Sequence, residues 1–358
     1  MPHLRTRSSR LLVTICAILS AALAGTVAAA PSSAASSDSG LYGSADPTYD
    51  GVFRQSLAIL GLAAQEVTPP AAAVTWLLDQ QCADGAFEDY RADTSQPCAA
   101  PDAANYVGPD SNSTAMALMA LMALDDSRIA LKPAVLDQAL KAAERAGAWI
   151  RRQQNADGGW AWYPGGASDP SSTGLAMAAA NTWGDAYGDT SYRRATRFLG
   201  SVSAACTDGG GFAYQRGSKP DALSTSLGVL GITGYLPVVR QPVAGARPTC
   251  TNTAQAKGLS YLASGLSSSG ALPSSMGGPD YTSTAYAVLG LSLAREGRSA
   301  IAAGTKALKV GARDYVTGSG VNPGAAGLLL MVAEATGSRP TSFGGVNLLS
   351  ALAGSIRK

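Results

Sequence analysis

Three aspartates have the type and placement for chemistry. Asp169 lies three residues before the pair Ser172-Thr173, Asp280 three before Ser283-Thr284, and Asp221 three before Ser224. A lone carboxyl beside an apolar cavity is what a Brønsted acid acting on an alkene requires. The same spacing suits a turn or helix-capping residue, which is the simpler reading. Aromatic residues gather close by. Trp160, Trp162 and Tyr163 fall within four residues, Phe212 and Tyr214 occupy the equivalent stretch of a later segment, and Tyr281 follows Asp280. Rings in such loops suit an apolar, polycyclic or sugar ligand. Trp162, Tyr163, Tyr214 and Tyr281 are therefore the ligand-binding candidates, while Trp160 and Phe212 fall at a repeated position that reads as packing.

Six acids, Asp84, Glu88, Asp89, Asp93, Asp102 and Asp110, crowd one region with only Arg91 among them. No spacing there matches a calcium loop, so the region reads as a solvated surface loop. The only histidine is His3, inside a segment expected to be removed. Its absence elsewhere excludes His-dependent triads and dyads and takes away the commonest zinc ligand. No metal and no cofactor is expected.

Residues 1–30 read as a secretory signal peptide: Arg5, Arg7 and Arg10 precede an apolar core, Leu11 to Gly25, and small residues follow. The core is too short for a comfortable membrane span. Without those three arginines, 27 basic residues become 24, against 25 acidic. A nearly neutral surface argues against nucleic acid or a membrane as partner. Loss of Cys16 leaves Cys82, Cys98, Cys206 and Cys250, an even number that favours disulfides in an exported chain. Local pairing, 82 with 98 and 206 with 250, brackets one loop region each.

These residues need a scaffold, and the chain repeats one. A Gly turn followed by an apolar anchor recurs at Leu41, Phe87, Trp160, Phe212, Leu272 and Val321, about 56 residues apart on average. A period of this size means stacked supersecondary units. After each turn comes a run rich in Ala, Leu, Met and Gly, apolar almost all round, which marks a buried helix. The hydroxyls of Ser113-Thr114, Ser172-Thr173, Ser224-Thr225 and Ser283-Thr284 are expected to cap these helices. Val52 to Gln65 and Pro323 to Thr336 complete six inner helices. Six amphipathic segments alternate with them: Ala71 to Gln81, Val135 to Gln154, Tyr192 to Ala204, Ala254 to Ser267, Ala300 to Val310 and Val346 to Arg357. The fold class is all-α, an (α/α)6 toroid whose last segment closes the ring beside the first inner helix. Residues 31–44 read as a flexible leader, 45–358 as one domain, and 82–109 as a long disulfide-stapled loop. Helix amino ends aimed at the rim would favour an anionic ligand group there.

Gln154 to Trp160 resembles the Q-x-x-x-G-x-W repeat of squalene and oxidosqualene cyclases, and Gln81 to Phe87 repeats it with Phe for Trp. The chain from about 38 to 357 is similar to the terpenoid cyclase and protein prenyltransferase α/α-toroid superfamily. That resemblance implies structural roles for Gln154 and Trp160, and for Gln81 and Phe87: the Gln bonds a neighbouring helix end and the ring packs under the turn. The family's Asp-x-Asp-Asp acid motif is absent, since Asp125-Asp126 has no third partner, and the prenyltransferase zinc ligands lack their His. The expectation is an exported, non-catalytic protein holding a small apolar or polycyclic molecule. A diverged terpenoid enzyme using Asp169, Asp221 or Asp280, a carbohydrate-active toroid and a cell-surface scaffold stay open as alternatives, as does the oligomeric state.

Overall fold

The computed structural model describes residues 39–183, 188–238, 240 and 245–358. The expected signal segment and leader residues 31–38 lie outside the described residues. Among those described there are twelve α-helices and one two-stranded hairpin. Six are α1 (Gly51–Ala64), α3 (Ser111–Met122), α5 (Pro170–Trp183), α7 (Ala222–Thr233), α9 (Tyr281–Ala294) and α11 (Pro323–Thr336). Each packs on the next, and α11 packs back on α1, so they form a closed inner ring. The others are α2 (Ala71–Asp79), α4 (Pro133–Arg152), α6 (Gly188–Ser201), α8 (Ala254–Ser269), α10 (Arg298–Thr317) and α12 (Leu348–Ala353). Each of these packs outside the inner helix that precedes or follows it. The hairpin pairs Leu272–Pro273 with Pro279–Asp280 at the approach to α9.

The division follows from side-chain pattern. Along α4, Ala139, Ala142, Ala143, Ala146 and Ile150 are buried while Lys141, Glu144, Arg145 and Arg151 are exposed, one apolar stripe on a 3.6-residue period. The inner helices have no such stripe, because they are covered on every side. Small residues let their backbones meet. A Cβ on Gly327 of α11 would lie 2.1 Å from the carbonyl oxygen of Leu57 in α1, and one on Gly61 would lie 2.5 Å from Gly327. The seam of the ring therefore requires glycine on both sides.

Sequence expectation and structure differ at three places. Residues 40–43 are no part of a flexible leader: Leu41 and Tyr42 are buried, and this stretch pairs antiparallel with the chain end. Gly40 N–H donates to Arg357 O, Arg357 N–H to Leu41 O and Gly43 N–H to Ser355 O. That pairing draws residues 355–357 out of helical conformation, so α12 is shorter than the Val346 to Arg357 expected. The sixth anchor, Val321, is only half-buried.

Helix capping follows the aspartate reading and not the hydroxyl one. The caps are the residues three positions before each Ser: Asp110, Asp169, Asp221 and Asp280 accept the amide of Ser113, Ser172, Ser224 and Ser283. Asn322 does the same for Ala325 in α11. The next hydroxyl has another task. Thr114, Thr173, Thr225 and Thr284 accept the backbone N–H of the anchors Phe87, Trp160, Phe212 and Leu272 at 2.8–2.9 Å. The recurring unit is thus Asp-x-x-Ser-Thr, in which Asp starts the helix and Thr fastens the preceding turn to it.

Two disulfides, Cys82–Cys98 and Cys206–Cys250, join the expected partners. No described helix is long and apolar enough to cross a membrane.

Candidate functional site

The amino ends of the inner helices surround a bowl of about 760 Å³. Its depth follows from helical register. Counting from the cap, wall positions two or three residues on include Asn112, Ser171, Ser172, Leu223, Ser224 and Thr282, with Phe53 in α1. Six residues on, at the second turn, Leu175, Leu227 and Tyr286 form the floor. Below that level the inner helices are packed solid, with Leu118, Leu230, Leu289 and Leu330 fully buried. The ring therefore encloses a shallow receptacle at one rim.

All three aspartate candidates line it: Asp169, Asp221 and Asp280. As caps they are already engaged. Asp169 accepts from Ser172 N at 2.8 Å through one oxygen and from Ser172 Oγ at 2.7 Å through the other. Asp280 is held the same way by Ser283 N and Oγ, and Asp221 by Ser224 N. A cap works by accepting hydrogen bonds, so this placement favours the ionised carboxylate over a proton donor. Burial pushes the other way at Asp169 and is the largest influence on it, raising its carboxyl above the ordinary range. The expectation that helix amino ends would attract an anionic ligand group is corrected here. Those ends are occupied by the chain's own carboxylates, and the bowl wall presents acid.

The aromatic candidates divide. Trp162 and Tyr214 line the bowl and are 41% and 53% exposed. Tyr261 and Tyr286 join them there, though the sequence pattern singled out neither. Tyr163 is only 4% exposed and stands behind the wall, packed against Trp162 and Tyr106. Its hydroxyl donates to Asp89 Oδ2 at 2.8 Å, so it is a buried bridge rather than a ligand contact. Tyr281 is turned outward onto α10, its ring against Gly311 and Tyr315, and does not line the bowl.

Gln154 Nε2 donates to Gly158 O and to Ser191 O in α6; Gln81 Nε2 donates to Gly85 O and to Ala142 O in α4. Trp160 is buried and its indole N–H donates to Ile150 O. Phe87 and Phe212 are buried beneath their turns. These residues hold turns to helices and do not touch the bowl.

The acidic loop is less solvated than its composition suggests. Asp93, half-buried, and Asp102, exposed, are turn residues held below the ordinary carboxylate range first by side-chain hydrogen bonds from Ser95 and Asn105. Asp84 accepts the indole N–H of Trp149. Asp110, by contrast, is completely buried, and desolvation pushes its carboxyl up to about 8, with Asp89 adding like-charge repulsion. Its Oδ2 has no hydrogen-bond partner. Asp89 is also raised, chiefly by burial, against the lowering effect of Tyr163 and Ser113. Both carboxylates meet on Ser113, Asp110 through its amide and Asp89 through its hydroxyl. One sequence signal marked this pair: Asp110 precedes Ser113-Thr114 by the same interval as the other caps precede their pairs.

Among the described residues, the grouping with metal-ligand proximity is Glu88 with Cys82 and Cys98, whose sulfurs are bonded to each other. A second cleft, about 840 Å³, lies at the carboxyl end of α11 beside α10 and is lined by Arg240, Arg298, Lys306 and Lys309. None of the candidate residues reaches it.

Residues 114–205, from the first turn of α3 to just beyond α6, match the squalene-hopene cyclase N-terminal domain. That segment, about a quarter of the chain, is similar to this domain, and the closed inner ring gives the chain an all-α toroid architecture. No curated protein matches the chain in sequence. Among solved structures, a protein from Actinoplanes is 15% identical over 68% of this chain and 79% of its own, with a TM-score of 0.33. An ent-copalyl diphosphate synthase from Streptomyces platensis is 17% identical over 51% of this chain and 39% of its own, with a TM-score of 0.28. Likeness at this level bears on neither substrate nor activity.

Proposed function

We propose that this is an exported, non-catalytic binding protein that receives a small apolar or polycyclic molecule in the bowl, through one toroidal domain spanning residues 40–358. The observation that carries the reading is the bowl itself: an aromatic and aliphatic receptacle whose three acids are committed as caps. Leu223 and Phe53 offer apolar surface, Leu175 and Leu227 close the floor, and Trp162 and Tyr214 stand exposed at its mouth. Burial of a ligand ring there is favourable by roughly 25 cal/mol for each Å² of apolar surface removed from water. Export is supported by the basic, apolar and small-residue order of 1–30 and by two disulfides. No nucleic acid, membrane or cofactor enters this reading.

One observation favours a second reading, a diverged acid catalyst. Asp110 is the carboxyl whose surroundings keep a proton on it near neutral pH, as protonation of an alkene demands. It stands behind Asn112 rather than on the wall, which favours binding over proton transfer.

The test is titration of a polycyclic triterpenoid alcohol, followed by calorimetry and by native mass spectrometry. The double variant Trp162→Ala/Tyr214→Ala is expected to weaken binding at least tenfold with an unchanged unfolding midpoint. Unchanged affinity in that variant would remove the bowl as the binding site. Turnover of a polyprenyl substrate, abolished by Asp110→Asn, would replace the reading with the second.

A further inference from the structure

The cleft at the carboxyl end of α11 sets one sign of charge apart. Over the whole chain 27 Lys and Arg stand against 25 Asp and Glu, so the two signs nearly balance. In the cleft they do not: Arg240, Arg298, Lys306 and Lys309 line it, and no described Asp or Glu does. Glu296 and Glu334, close in sequence to its lining residues, are not among them. Arg240, Lys306 and Lys309 enter no ion pair among the described residues. Like charges gathered without an acid repel one another, a cost that a bound anion removes.

Packing, rather than opposite charge, holds two of these cations in place. The Lys309 ammonium sits over the buried ring of Phe343, 5.5 Å from its centre. Arg240 lies against Gly337, where a Cβ would stand 2.5 Å from Cζ and 2.7 Å from Nη1 of the guanidinium. Gly337 takes φ +64° as the cap that ends α11, so the same glycine closes the helix and makes room for Arg240. The carboxyl end of α11 offers roughly half a negative charge, far less than four cations carry. The amino end of α10 adds to the positive side, because its cap, Gly297, supplies no side-chain oxygen and its first turn holds no acid. Neutral donors are already spent. Thr305 Oγ1 donates to Ile301 O and Thr336 Oγ1 to Val332 O, each within its own helix. What the cleft offers an occupant is charge.

The charges form a line. Arg298, Ala302, Lys306 and Lys309 follow at intervals of four, four and three residues and so share one face of α10. At about 1.5 Å per residue, Arg298 and Lys309 stand about 16 Å apart along the axis. A single phosphate reaches one end of that line, whereas a chain of phosphates reaches both. We propose that this cleft binds a linear polyphosphate, laid along α10 between Arg298 and Lys309 with Arg240 on its flank. Phosphate oxygens accept from the guanidinium forks and from the ammonium groups. No aromatic side chain lines the cleft, so it gives the bases of a nucleic acid nothing to stack on. No residue lines both this cleft and the bowl, and the proposal does not depend on what the bowl holds.

The experiment is calorimetric titration of the whole protein with inorganic phosphate, tripolyphosphate, long-chain polyphosphate and citrate. Tripolyphosphate is expected to bind at least tenfold tighter than phosphate or citrate, and the long chain tighter still. Its affinity should fall with salt at a log–log slope of about −3, as neutralising about four phosphates of a single chain requires. Lys306→Glu reverses the charge of an exposed side chain and is expected to weaken the long chain at least tenfold at an unchanged unfolding midpoint. Arg298→Gln should weaken it several-fold. The bowl variant Trp162→Ala/Tyr214→Ala should leave it within about twofold, so failure at one site is distinguishable from failure at the other. Equal affinity for phosphate and tripolyphosphate, or insensitivity of the long chain to Lys306→Glu, overturns the proposal. Tighter binding of a single-stranded oligodeoxynucleotide than of polyphosphate with the same number of phosphates overturns it in favour of a nucleic acid.

Discussion

Asp110→Asn is expected to stabilise the protein at neutral and alkaline pH, and by an amount that grows with pH. In the folded state the Asp110 carboxyl is raised by burial, then by Asp89, from the ordinary 3.8 to about 8. Between those values the native chain keeps a proton that the unfolded chain has released. Unfolding thus releases a proton, and stability falls as pH rises through this window. The contribution is fully present below about 4 and lost by the time pH passes the folded value. At about 1.4 kcal/mol for each pH unit, the whole window is worth on the order of 6 kcal/mol. Asparagine has no proton to lose and keeps the acceptor oxygen that takes Asn112 N and Ser113 N. Its amide nitrogen replaces an oxygen that has no partner. Urea unfolding of both proteins at pH 4, 6 and 8, followed by circular dichroism, checks this. The two should be similar at pH 4, and the variant ahead by several kcal/mol at pH 8. A difference that is flat with pH, or that favours the native aspartate at pH 8, would refute the argument. Asp50 and Asp169, also raised by burial, push the wild-type profile in the same direction but cancel in the comparison, whereas Asp89, whose charge repels that of Asp110, does not.

Two further substitutions test the repeating unit. Thr173→Val removes the acceptor of the Trp160 amide and leaves that buried N–H without a partner, so a loss of about 1–3 kcal/mol is expected in chemical denaturation; no loss would show the turn is held by packing alone. Gly158→Ala places a Cβ 2.5 Å from Arg194 O at a φ of +97°, and roughly 2–4 kcal/mol of destabilisation is expected. Gly209→Ala, at φ +89° with nothing within 4 Å, is the control and should lose about 1 kcal/mol, both read as melting temperatures.

The scaffold was readable because its signals are local and repeated. Buried helices of Ala, Leu, Met and Gly announce themselves by lacking a polar face, and the Gly turns separate them. The disulfide partners were readable from the loops they bracket. What escaped depends on direction rather than composition. Tyr163 and Trp162 are adjacent in sequence, yet one is sealed on Asp89 while the other faces solvent, and no periodicity separates them. Tyr281 and Tyr286 belong to one helix, but the first turns toward α10 and the second toward the axis. Composition places Asp110 with the loop acids, although its spacing to Ser113-Thr114 matches the other caps. Capping preference is shared by Ser, Thr and Asp, so composition alone does not say which of them starts an inner helix.

The pairing of residues 40–43 with 355–357 sets an order of events for synthesis. Gly40, Leu41 and Gly43 emerge early and find their hydrogen-bond partners only after some three hundred further residues have been made. Until then α1 has bare glycine-edged backbone where α11 belongs. The five units in between can assemble stepwise from neighbours, as stacked repeats do. The final contact cannot. The entropic cost of closing a loop this long grows only logarithmically with its length, so the delay is one of timing more than of energy. The ring therefore cannot shut until residues 355–357 have been made.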